Sequence, residues 1–290
     1  NSIIGGYAQH GEGHQALNCF TRMQGEGISP NEVTFLHIVK ACVSIGAINK
    51  GKNIHCEINS SGLLEKGILV SALVDMYAKC GMLVKAQQVF DQLSCQNLIS
   101  WSVLITGYTQ QGYFDEALKR FQQMQNECLS PDEVTFTCIL KSCGDIGDVD
   151  KGKQIHEEIS KRGLLEKDIM LSTALVGMYA KCGMPMKAQN VLENLPFRNV
   201  ASWNALIAGY AQQGQLNEAL NCYEQMQREG LSPNAITFTC TLNVIGSSRA
   251  IIEGKKIHEE IVSRDLLKED IMLGNALVDM YAKCGMLLEA

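Results

Sequence analysis

The sequence repeats itself every 102 residues, and a period of that kind leaves few folds open. The string Tyr-Ala-Lys-Cys-Gly starts at Tyr77, Tyr179 and Tyr281, and Trp101 and Trp203 stand at the same interval. Ile-His recurs at Ile54-His55, Ile155-His156 and Ile257-His258. The repeats run from end to end, with no room for a separate globular domain. Each period subdivides into segments of 35, 36 and 31 residues, as in Leu98–Asp132, Glu133–Asp168 and Ile169–Asn199. Trp101, Leu104, Ile105 and Tyr108 follow the i, i+3, i+4, i+7 spacing of one helix face. Gly112 stops that helix, and Ala117, Leu118, Phe121 and Met124 mark a second. No stretch sustains the two-residue alternation of a strand, so the expected class is all-α. One helix pair cannot bury its own apolar face, so the pairs must stack on one another into a solenoid. Nine units follow: 1–31, 32–67, 68–97, 98–132, 133–168, 169–199, 200–234, 235–270 and 271–290. The first and last stop short of a full unit, which predicts further repeats beyond both. Unit 68–97 lacks one residue around Val70–Ser71, and its register stays open.

Composition narrows the function. Apolar residues are 46% and charged residues 19%, enough for a large core and too apolar for a disordered chain. No apolar run approaches the ~20 residues of a membrane span. With 25 Lys+Arg against 31 Asp+Glu, the net charge of −6 argues against indiscriminate attraction to polyanions. Any nucleic-acid binding must come from local placement of side chains. The twelve cysteines include no C-x-x-C pair, and a chain with its own core needs no disulfide staples, so a reducing compartment is expected.

Catalytic motifs do not survive inspection. His55-Cys56-Glu57, His156-Glu157-Glu158 and His258-Glu259-Glu260 match the H-x-E half of a zinc deaminase, but no P-C-x-x-C follows to complete a metal site. Their repeat position predicts a structural role on a second helix. Gly46–Lys52 and Gly147–Lys153 imitate a phosphate loop, yet Asn53 and Gln154 stand where Ser or Thr would hold magnesium. Cys80, Cys182 and Cys284 are too far apart in a stack to share an ion and are expected to be buried as small apolar groups. Neither metal, cofactor, small-molecule substrate nor catalytic residue is predicted.

Val-Ala-Ser-Trp-Asn-Ala-Leu-Ile-Ala-Gly-Tyr at 200–210, Glu-Ala-Leu at 218–220 and Glu-Gly-Leu-Ser-Pro-Asn at 229–234 resemble a pentatricopeptide repeat. The unequal lengths resemble the plant subclass of ordinary, long and short repeats. Gly-Lys-Lys-Ile-His at 254–258 is similar to the long type, and Asn-Ala-Leu-Val-Asp-Met-Tyr-Ala-Lys-Cys-Gly at 275–285 to the short. The resemblance implies a right-handed superhelical α-solenoid of stacked helix-turn-helix repeats that binds single-stranded RNA, one base per repeat. It further implies a mitochondrial or plastid protein, acting as the targeting part of an RNA-processing or C-to-U editing factor whose deaminase domain would lie C-terminal to these repeats. The competing reading is a helical scaffold for proteins like a tetratricopeptide array, which keeps a period near 34 and lacks unequal units.

By the same resemblance, two residues per unit read each base. One lies in the first helix: Asn1, Ser71, Ser102, Thr173, Asn204 and Asn275. The other ends the unit: Asn31, Asn97, Asp132, Asn199 and Asn234. Asp and Asn before a helix also make good N-caps, a role compatible with reading. Aspartate only accepts hydrogen bonds and suits guanine or uracil, whereas asparagine can donate and suits adenine or cytosine. In chain order the pairs imply pyrimidine, any, A, G, any, A, C or U, any, pyrimidine. Ile99, Met170, Ala201 and Met272 lie where the family sandwiches bases, ordinary core packing being the alternative. Lys79, Lys181 and Lys283 belong either to a locally positive groove or to a solvated face. The long repeats carry Leu36/Gly67, Thr137/Asp168 and Thr239/Asp270; the resemblance implies that such repeats either read weakly or contact partner editing factors, and no base is assigned to them.

Overall fold

A computed structural model describes residues 1–63, 67–93, 96–268 and 270–286. Residues 287–290 of the final unit, and Lys66 before Gly67, lie outside them. The described residues form helices and turns without a strand. Two compact units, Asn1–Ile139 and Leu140–Ala290, are described in turn.

The first unit contains α1 (Ser2–Gln9), α2 (Gly13–Gly25), α3 (Glu32–Ser44), α4 (Ile48–Ser60), α5 (Gly67–Lys79), α6 (Leu83–Asp91), α7 (Leu98–Gln110), α8 (Phe114–Asn126) and the start of α9 (Glu133–Ile146). Odd-numbered helices are the first of each pair. They pack side by side, α1 on α3, α3 on α5 and α5 on α7, while each even-numbered helix lies against its own partner and the next odd one. The buried side chains are those of the helix-period face, including Trp101, Leu104 and Ile105 on α7 and Ala117, Phe121 and Met124 on α8. Gly112 ends α7 at φ +79°, a conformation that costs a side chain dearly, and Tyr113 N–H returns to Tyr108 C=O at 2.9 Å to close the last turn.

In the second unit α10 (Val149–Lys161), α11 (Ile169–Lys181), α12 (Pro185–Glu193), α13 (Val200–Gln212), α14 (Leu216–Arg228), α15 (Ala235–Ser248), α16 (Ile251–Ser263) and α17 (Ile271–Lys283) follow the same plan. α11, α13, α15 and α17 pack in sequence. Close approach of neighbouring first helices depends on small residues: a Cβ on Gly209 would stand 2.8 Å from that of Ala180. The equivalent Gly107 of the first unit faces Ala78 in the same way.

The model fixes the open register. α5 and α11 are both 13 residues long, and Ser71 and Thr173 are each the fifth residue. The missing residue therefore precedes α5 and does not fall at Val70–Ser71. Gly67 accordingly opens α5 and does not occupy the capping position that Asp168 holds before α11.

Candidate nucleic-acid interface

Every complete first helix can be counted from its start, and the predicted reading residues then fall at two fixed places. Asn31, Asn97, Asn199 and Asn234 are N-caps with extended backbone. The side-chain oxygen of each accepts the third residue's backbone N–H: Thr34 at 3.0 Å, Ser100 at 2.9 Å, Ser202 at 2.7 Å and Thr237 at 3.0 Å. Asp132 Oδ1 accepts Thr135 N–H likewise at 2.8 Å. Capping commits Oδ1 to the helix, so the outer end of each side chain is Nδ2 for asparagine and Oδ2 for aspartate. Capping thus uses one end of each group and leaves the other end available. Asn31, Asn97 and Asn234 are exposed, and Asp132 and Asn199 half-buried.

The other class sits at the fifth position: Ser71, Ser102, Thr173, Asn204 and Asn275 on α5, α7, α11, α13 and α17, with Asn1 just before the shortened α1. Ser71, Ser102 and Asn204 are buried, Thr173 half-buried, and Asn1 and Asn275 exposed. Four pairs meet directly. Asn1 Nδ2 donates to Asn31 Oδ1 at 3.2 Å, and Asn204 Nδ2 to Asn234 Oδ1 at 3.2 Å. Ser102 Oγ lies 3.2 Å from both oxygens of Asp132. Asn199 Nδ2 donates to Thr173 Oγ1 at 3.1 Å, while the Thr173 hydroxyl donates to Ile169 C=O at 2.7 Å. Ser71 and Asn97 make no direct bond among the described residues; Ser71 Oγ donates to Gly67 C=O at 2.9 Å.

The predicted sandwiching residues Ile99, Met170, Ala201 and Met272 all occupy the second position and are exposed, 64% for Ile99 and 70% for Met272, so core packing does not explain them. Counting adds four that sequence reading passed over: Val33, Ile68, Val134 and Ile236, each exposed. A β-branched or long apolar residue two places after a cap was the available signal.

Lys79, Lys181 and Lys283 do not make a positive groove. They pair with Asp75 at 2.9 Å, Asp145 at 2.5 Å and Asp279 at 2.6 Å. The three histidines join neighbouring repeats: His55, His156 and His258 place Nδ1 2.9, 2.9 and 2.8 Å from the hydroxyls of Tyr77, Tyr179 and Tyr281. Burial, then nearby Lys85, lowers the pKa of His55; burial also lowers that of His156, with Glu157 opposing and Lys187 assisting. Cys80, Cys182 and Cys284 are half-buried at the ends of first helices, so the expectation of full burial is corrected. Burial does push the Cys143 and Cys222 thiols up to about 12, which leaves them protonated and unreactive near neutrality. Among the described residues no cluster of His, Cys, Asp and Glu could hold a metal ion, and no helix is long and apolar enough to cross a membrane. The two phosphate-loop imitations join helix to helix, and Lys153 is paired with Asp150 at 3.0 Å.

The PPR repeat family profile matches residues 1–44, 96–145 and 198–245, and the PPR repeat profile matches 68–98 and 134–164. A chloroplastic pentatricopeptide repeat-containing protein of Arabidopsis thaliana is 34% identical over 289 residues, covering 100% of this chain and 46% of its own length. A mitochondrial one from the same plant is 33% identical over 285 residues, covering 98% and 41%. The chain thus spans less than half the length of these relatives. The crystal structure of PPR10 in complex with an 18-nt psaJ RNA element superposes with a TM-score of 0.84 at 21% identity, over 99% of this chain and 43% of that one. That likeness establishes an all-α helical-repeat solenoid as the fold class, and the profile matches and the relatives make this chain a member of the pentatricopeptide repeat family.

Proposed function

We propose that the chain binds single-stranded RNA, one base per ordinary or short repeat, as the targeting module of a plastid or mitochondrial RNA-processing or C-to-U editing factor of the ordinary–long–short subclass. One observation carries the reading: the hydrogen-bond ends left over by Ser102/Asp132, Thr173/Asn199 and Asn204/Asn234 match the edge of the base each is assigned. At Asn204/Asn234 both oxygens are taken, by Thr237 Oγ1 at 2.7 Å and by Thr237 N–H at 3.0 Å, so the pair offers N–H donors. A pyrimidine edge, with its acceptors O2 and N3 or O4, takes them. Ser102/Asp132 offers carboxylate Oδ2, which suits the N1–H and N2–H₂ of guanine. Thr173/Asn199 offers one amide N–H and one hydroxyl oxygen, the complement of adenine N1 and N6–H₂. Exposed apolar residues at the second positions supply surfaces on which bases stack.

PPR10 binds its RNA element on a solenoid of this fold, and the organelle reading rests on relatives named chloroplastic and mitochondrial. The long repeats, with Thr239/Asp270 and Thr137/Asp168, remain free to meet partner editing factors. The test is fluorescence anisotropy with single-stranded RNA, the same RNA in a duplex, and an equal-length DNA. Tight binding to the single strand alone is expected; equal binding to the duplex would exclude reading of Watson–Crick edges.

A further inference from the structure

Three threonines lie beneath the reading pairs of the ordinary repeats, each supplied by the repeat that follows. Thr34, Thr135 and Thr237 are the third residues of α3, α9 and α15, and all are fully buried. Thr34 Oγ1 donates to Asn1 Oδ1 at 2.6 Å while accepting Asn31 N–H at 3.2 Å. Thr237 Oγ1 donates to Asn204 Oδ1 at 2.7 Å while accepting Asn234 N–H at 3.1 Å. A hydroxyl has one proton to give, and in both pairs the oxygen of Asn1 or Asn204, at 2.6 and 2.7 Å, is nearer to it than the cap's Oδ1 at 3.0 Å. Its commitment holds the carbonyl end of the fifth residue inward and turns the amide end toward the cap. Around Asp132 the same hydroxyl donates to Oδ1 at 2.6 Å, a charge-assisted bond. With that proton committed, Thr135 Oγ1 accepts from Ser102 Oγ at 2.7 Å, so the serine proton also points inward.

The other first helices lack this device. α5, α11 and α17 have Leu69, Leu171 and Leu273 at the third position. In α7 and α13, Ser100 and Ser202 donate instead to the backbone C=O of Asn97 and Asn199, each at 2.8 Å.

We infer that Thr34, Thr135 and Thr237 are positioning residues for base discrimination: each fixes which hydrogen-bonding end its reading pair turns outward. The inference rests on the base reading proposed above. Thr135→Val keeps the side-chain shape and the backbone N–H that caps Asp132 Oδ1, but it frees the Ser102 hydroxyl to turn its proton onto Asp132 Oδ2, 3.2 Å away, in competition with the base. Affinities are measured for two RNAs that differ only in G or A opposite Ser102/Asp132, for wild type, Thr135→Val, Thr135→Ser and Asp132→Asn, with melting followed in parallel. Thr135→Val should lower the G-over-A ratio by about fivefold, the worth of one neutral hydrogen bond, and Thr135→Ser should restore it. A merely structural threonine would change melting and both affinities together and leave the ratio alone. An unchanged ratio in Thr135→Val, with Asp132→Asn still switching preference, overturns the role of the threonine and spares the base reading. A wild type with no preference removes both. Thr237→Val, read as loss of pyrimidine preference at Asn204/Asn234, repeats the test should the Thr135 variants melt below the assay temperature.

Discussion

Replacing Asp132 with asparagine should turn a guanine-reading repeat into an adenine-reading one. The molecule already contains a precedent for the product. Asn199 caps α13 through Oδ1 and donates from Nδ2 to Thr173 Oγ1 at 3.1 Å. In Asp132→Asn the capping bond to Thr135 N–H, now 2.8 Å, holds Oδ1 in place. Nδ2 then takes the position of Oδ2, which lies 3.2 Å from Ser102 Oγ. Its second N–H meets adenine N1 as a donor meeting an acceptor, and it opposes guanine N1–H. A misread base costs roughly 1–3 kcal/mol by analogy with protein–DNA recognition, or about 5- to 150-fold in affinity at 1.4 kcal/mol per tenfold. Asparagine and aspartate cap about equally well. The fold loses only the charge-assisted part of the Thr135 hydroxyl bond, on the order of 1 kcal/mol. The assay is titration of wild type and variant with two RNAs differing at that base, alongside thermal melting by circular dichroism. If both proteins prefer the same base and melt alike, Asp132 is a helix cap and no more, and the reading-pair assignment falls with it.

Cys128 holds a left-handed φ of +58° where the related turns carry Gly27 and Gly230, and its side chain is exposed. Cys128→Gly should therefore stabilise the chain by about 0.5–1 kcal/mol, read as a higher urea midpoint at unchanged slope; a lower midpoint would contradict the strain. His55 and His156 have folded pKa values below the ordinary 6.5. The unfolded chain then binds more protons just below that pH, so the stability these contacts give is present above about 6.5 and lost as pH falls. Melting temperature should drop between pH 7.5 and 5.5, and drop less in His55→Gln/His156→Gln; an equal drop in both proteins would clear the histidines. With a net charge of −6 and Lys79, Lys181 and Lys283 paired, RNA affinity should decline only gently across a salt series. A slope implying many neutralised phosphates would show that charge, not base contact, dominates.

The helices were legible because the apolar face recurs in register: Trp101, Leu104, Ile105 and Tyr108 are all buried, as their spacing implies. Sequence placed the reading residues by resemblance, but could not distinguish capping from recognition, since both choose Asn or Asp. The hydrogen-bond geometry shows the capping oxygen engaged and the other end of the side chain left over. Ser71 was ambiguous because the lost residue precedes α5, ahead of the apolar face that anchors the register. Val33, Ile68, Val134 and Ile236 were passed over because an apolar residue in one dimension does not show which way it faces; only exposure, 47% for Val33 and 63% for Ile68, reveals them as surface. The choice between groove and solvated face for the lysines needed their partners. Two find their aspartates one turn away on the same helix, and Lys181 reaches Asp145 on α9, a contact no local pattern announces. The buried threonines were invisible as well, because a hydroxyl's single proton has no sequence signature.

Selection from a randomised single-stranded RNA pool tests the central claim most directly. Read from the 5′ end, the pairs from Ser71/Asn97 to Asn204/Asn234 predict an enriched core of A, G, any base, A, then a pyrimidine. Asp132→Asn should change only the G. A pool without enrichment, with a peptide partner captured in its place, would mean that these helices are a protein scaffold; a consensus in the reverse order would contradict the polarity of reading.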